Sequence, residues 1–163
     1  EGVDIKKLLH LLQRERGATC AWVASSCQLS HFHSLLSDYR ANTDAYIQAH
    51  PRCSAALSTA FGLIASQRTK VDATVASLPP LNELGGKFYE ALRGYSHICG
   101  VVMAEEEAQL AREHGPSSQI GCTVLALCRL KETIAQIRGC LTGICALPPD
   151  ALPGLPHKAF ADL

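Results

Sequence analysis

Four basic side chains fall on apolar helical faces of this 163-residue chain: Arg16, Arg68, Arg138 and, beside the last, Lys131. At about 100° per residue, Ile5, Leu8, Leu9, Leu12, Thr19 and Val23 share one side of a helix. Arg16 lies inside that stripe, about 20° from its midline, Arg14 points the opposite way and Glu15 sits at the edge. A buried unpaired guanidinium costs several kcal/mol or more, so an inward arginine needs a partner. The chemistry on offer is anion binding, because the guanidinium fork donates two parallel hydrogen bonds to a planar oxyanion. Two such groups converging between bundle helices, without matched acids, form a small-anion pocket. The structural alternative is pairing with a carboxylate such as Glu15 or Glu132, or a stem that packs while its head reaches water.

Other chemistry finds little support. The chain has no Gly-rich phosphate loop, no nucleophile elbow and no His-Glu-x-x-His, so no catalytic residue is assigned and no enzyme is expected. Cys20, Cys27 and His31 fit no established zinc spacing, and neither metal nor cofactor is expected. None of the eight cysteines forms a Cys-x-x-Cys pair. They read as free core thiols of a reducing compartment, with disulfides as the alternative. A redox role would need an exposed thiol of low pKa. Fifteen basic residues balance fifteen acidic ones, which argues against nucleic acid or a membrane surface as partner. No apolar run reaches the ~20 residues of a membrane span. The chain opens at Glu1 without a signal peptide and reads as a piece of a longer protein.

The elements that must position these residues are helices. The first is expected over about Val3–Ala24. After a break at Ser25–Cys27, a second carries Phe32, Leu35, Leu36, Tyr39, Thr43 and Tyr46, and His50-Pro51 ends it. A third starts near Ser54, bears Leu57, Phe61, Ile64, Arg68, Val71 and Val75, and stops at Leu78-Pro79-Pro80. A fourth, about Asn82–Glu107, turns Leu84, Phe88, Ala91, Tyr95, Ile98 and Val102 inward, with Asn82 or a neighbour as cap. Glu105–Glu107 read as a solvated face, and a separate short helix is expected over Gln109–Glu113. The last helix, about Gln119–Ala146, is capped by Ser117 or Ser118. Its expected inner stripe is Ile120, Val124, Leu127, Ile134, Leu141 and Cys145, with Lys131 and Arg138 inside it. No stretch shows strand alternation. The fold class is all-α, an antiparallel four-helix-bundle type of domain over residues 1–146. Residues 147–163 form a Pro-rich segment leading into a further helix, so the domain is expected to be truncated.

At this point the chain resembles the nitrate- and nitrite-sensing domain family, NIT. Leu12-Gln13-Arg14-Glu15-Arg16-Gly17-Ala18-Thr19 is similar to the family's opening motif. Arg40-Ala41-Asn42-Thr43-Asp44, Arg68-Thr69-Lys70-Val71-Asp72, Gln109–Arg112 and Lys131-Glu132 with downstream Arg138 resemble its later elements, in order, over about Leu8–Leu141. The resemblance implies an all-helical sensor in which nitrate or nitrite alters helix packing and controls an attached output domain, such as a kinase, cyclase or transcription regulator. It implies Arg16 and Arg138 as the anion clamp, with Arg68, Lys131 and Thr19 as secondary candidates. The chain departs from the family at Ile137, where glutamate is common, and in its eight cysteines. Homodimerisation stays open, as does location in a membrane receptor or a cytoplasmic signalling protein. The competing expectation is a ligand-free helical interaction or dimerisation domain whose inner arginines are structurally paired.

Overall fold

Three of the five long helices start where a short polar side chain can take up an orphan amide. Asp4 accepts from Lys7 N, Ser54 from Leu57 N and Ser118 from Gly121 N. In the computed structural model, which describes residues 3–115 and 118–154, the helices are α1 (Ile5–Ala24), α2 (Ser30–Gln48), α3 (Ala55–Ser77), α4 (Leu81–His114) and α5 (Gln119–Ala146). A short 3-10 helix, Pro149–Gly154, follows. The described residues contain no strand, and the fold is an all-α helical bundle as expected. Ser117 and the helix expected within 157–163 lie outside the described residues.

Helix α1 is the axis of the bundle, packed against α4, α5 and α2, while α3 packs on α4. Its whole expected stripe is buried, and so is that of α4 from Leu84 to Val102. The two faces interleave in one core with Leu57, Ile64 and Val71 of α3. Burial of such side chains contributes roughly 1.5–3 kcal/mol each.

Four expectations need correction. Helix α4 runs unbroken to His114, so the separate Gln109–Glu113 piece is its last turns. Pro80, not Asn82, occupies its N-cap. Glu106 is not solvated: it is buried and takes the ammonium of Lys6 at 3.2 Å, which ties α4 to the start of α1. The fourth correction changes the site. Helix α5 turns inward its small residues, Gly121, Ala135, Gly139, Cys140 and Gly143, together with Glu132. The larger apolar residues Ile120, Leu127, Ile134 and Leu141 face out. Lys131 and Arg138 go with them and are exposed. Small residues let α5 approach closely, and that contact outweighs the greater apolar area of the opposite face.

Gly143 shows how tight the approach is. A Cβ there would lie 2.6 and 2.7 Å from ring carbons of Phe88, which is fully buried. Gly143→Ala is therefore expected to cost about 1–3 kcal/mol in urea unfolding. Gly62→Ala meets nothing within 4 Å and serves as the control. Equal stability of the two variants would contradict the packing described for α5.

Candidate functional site

Two consecutive residues of α1 meet two consecutive residues of α4, and each pair opens a different polar cluster. Arg16 Nη1 donates to Ser96 Oγ at 3.1 Å, and Tyr95 Oη donates to Glu15 Oε1 at 2.6 Å. Side chains at adjacent helical positions diverge by about 100°, so one cluster faces α5 and the other faces α2 and α3.

On the α5 side, Arg16 is fully buried. Its Nη1 also donates to Glu132 Oε1 in a buried ion pair. Gln13 Nε2 donates to Glu132 Oε2 at 2.8 Å and Gln136 Nε2 to Oε1 at 2.9 Å. Ser96 donates its own hydroxyl hydrogen bond to the Leu92 carbonyl at 2.8 Å. Glu132 is thus well provided with donors, yet Arg16 is only half used. Among the described residues no acceptor reaches its Nε or Nη2, both buried. Those two groups form the side-on edge of the guanidinium, the edge suited to a two-oxygen partner. Gly139 of α5 stands over it: a Cβ at that position would lie 3.8 Å from Nε and 3.3 Å from Leu92 Cδ1. Thr19 is buried nearby in sequence, and its hydroxyl makes no hydrogen bond of ordinary geometry.

On the other side the same edge of Arg68 is filled. Its Nε and Nη2 donate to the two oxygens of Glu15 at 2.7 and 2.8 Å, and Nη1 reaches Asp44. Arg40 donates to Asp72 at 2.8 Å. The pairs Arg40–Asp72 and Asp44–Arg68 are crossed, so α2 and α3 run antiparallel and exchange charges between two Arg-x-x-x-Asp segments. Burial works against the charge of Arg68, and the Glu15 and Asp44 carboxylates outweigh it, holding its pKa above the ordinary value. Burial, then the Glu15 carboxylate, raises the Tyr95 phenol, so it remains a donor.

The expected clamp is not assembled as a pair of inward arginines. Arg138 lines surface grooves beside His10, Gln13 and Lys131, and Arg16 lines none of these grooves. Arg68 is committed to Glu15 and Asp44. Lys131, Arg138 and Arg14 surround His10 and, after partial burial, lower its pKa. Burial pushes the Cys20 and Cys99 thiols up to about 12, so neither supplies a thiolate. All eight cysteines are unpaired, but they are not all core thiols: Cys20, Cys99 and Cys140 are buried, and Cys122 and Cys145 are exposed.

The model of the nitrate and nitrite sensing family matches residues 7–153. The chain belongs to the NIT family. Curated proteins and solved structures yield no match. In this NIT domain the opening motif supplies Gln13, Glu15 and Arg16, which feed both clusters. Ser96, Gly139 and Gln136 carry no signal in the sequence. Glu132 is foreshadowed as a pairing partner and in the Lys131-Glu132 element, and Tyr95 only as a core residue of α4.

Proposed function

We propose that this NIT domain is a non-catalytic sensor that binds nitrate or nitrite at Arg16 and relays a change in helix packing to an attached output domain. The observation that carries the reading is the free Nε–Nη2 edge of a fully buried guanidinium. An unsatisfied buried charged donor is costly, and the same edge of Arg68 is filled by a carboxylate. Nitrate spreads one charge over three coplanar oxygens and offers two of them side by side. With so few atoms its affinity is micromolar or weaker. Arg138, with Lys131, gives the outer face of the α1–α5 seam a positive field that draws an anion in.

The relay follows from where the charges sit. An anion on Arg16 adds a negative charge beside Glu132 and weakens the pair that ties α1 to α5. Gln136, on the same helix, stays with Glu132, so α5 shifts as a unit between two packings. A ligand-free reading, in which the inner arginines only staple helices, is favoured by the two filled pairs, Arg16–Glu132 and Arg68–Glu15. Titration calorimetry on Gly139→Ala separates the two. The added methyl intrudes beside Nε, and nitrate binding is expected to weaken at least several-fold. Wild-type affinity in that variant would remove the Nε edge as the site.

A further inference from the structure

The outward face of α5 repeats every seven residues. Ile120, Leu127, Ile134 and Leu141 are spaced by seven, and so are Thr123, Leu130, Ile137 and Ile144. These are the a and d positions of four heptads. Six of the seven large ones are exposed on a folded domain, Ile120 at 67%, Leu130 at 57% and Ile134 at 56% among them, while Ile144 packs against the core. The inward face of the same helix is made of small residues and Glu132. Helix α5 is therefore two-faced, with a packing surface for its own bundle and a second apolar seam left over. A period of seven keeps a seam in line only against another helix that supercoils with it.

We infer that this seam pairs with the same seam of a second copy of the chain, as a parallel two-stranded coiled coil of α5 with α5. Flanking charge selects the partner and the orientation. The e positions include Lys131 and Arg138, and the g positions that a parallel copy brings against them are Ala126 and Thr133. Both cations then face neutral residues of the partner. An antiparallel pair sets e against e, so Lys131 meets Arg138 or its own counterpart in every register that keeps the central layers together, and like charges repel. In the parallel pair a two-fold axis runs along the seam, and each layer meets itself. A contiguous apolar stripe of this length on a folded domain marks such an interface. The inference does not depend on the anion site.

The test is the solution mass of the 163-residue chain by analytical ultracentrifugation from 1 to 100 µM. The expected mass is twice 17.5 kDa. Ile134→Glu is expected to give a monomer with an unchanged melting curve at low concentration, because the side chain is exposed in the folded unit. A monomeric wild-type chain at 100 µM, or a dimer that survives both Ile134→Glu and Leu127→Glu, would overturn the inference. For orientation, Leu127→Cys and Leu141→Cys are each placed in a Cys122→Ser/Cys145→Ser background. Each is expected to cross-link to itself on mild oxidation. Cross-linking only when the two variants are mixed would establish the antiparallel arrangement and overturn the parallel one.

Discussion

Glu15→Ala is expected to be the most destabilising single substitution in the domain. The carboxylate is fully buried and is shared by Arg68, through two hydrogen bonds, and by Tyr95, with Arg40 at 3.9 Å. Removing it leaves a half-buried guanidinium with Asp44 as its remaining carboxylate partner and a buried phenol that has lost its carboxylate acceptor. Breaking one partner of a buried pair costs about 3–5 kcal/mol. In a chain of this size that corresponds to a fall in melting temperature on the order of 10 °C. Glu15→Gln keeps the shape and one acceptor oxygen, so its loss is expected to be smaller. A melting curve for Glu15→Ala within 2 °C of wild type would show that the second cluster does not hold α1, α2, α3 and α4 together.

Arg16→Ala comes next, and here stability and function part. The variant leaves Glu132 buried with amide donors but no counter-charge, again at about 3–5 kcal/mol. Arg16→Met combined with Glu132→Leu removes both charges and replaces them with apolar volume. Much of the lost stability is expected to return, less the cost of the Gln13 amide, which loses its acceptor. The double variant is nevertheless expected to be blind to nitrate, because the Nε–Nη2 edge is gone. Urea unfolding measures the first effect and a nitrate titration the second. A double variant that still responds to nitrate would move the anion away from Arg16.

What the sequence disclosed follows the size of the side chains. Helices α1 and α4 bury large apolar residues at regular spacing, so their inner faces, and Arg16 among them, were legible. Glu15 was read at the edge of a stripe, but α1 is surrounded by other helices and has little true edge, so the neighbouring residue became the centre of a second cluster. Helix α5 misleads for the opposite reason. Its inward face is glycine, alanine and cysteine, which carry little hydrophobic signal, while its stronger apolar pattern points outward. That inversion is why Arg138 was expected inside and stands outside. It is also why Gly139, which leaves room beside Arg16, could not be singled out. The Glu105–Glu107 run misled through charge, since a composition-level reading cannot anticipate that Lys6 would reach Glu106.

A buried, half-used guanidinium is what we propose makes this NIT domain an anion sensor. The most direct measurement is thermal unfolding of the wild-type chain in millimolar nitrate or nitrite, against chloride at equal ionic strength. Preferential binding to the folded state raises the midpoint by an amount that grows with ligand concentration. A rise specific to nitrate or nitrite, absent in the Arg16→Met/Glu132→Leu variant, is the expected result. Superimposable curves in nitrate and chloride at every concentration would contradict the account and leave the buried arginines as structural staples.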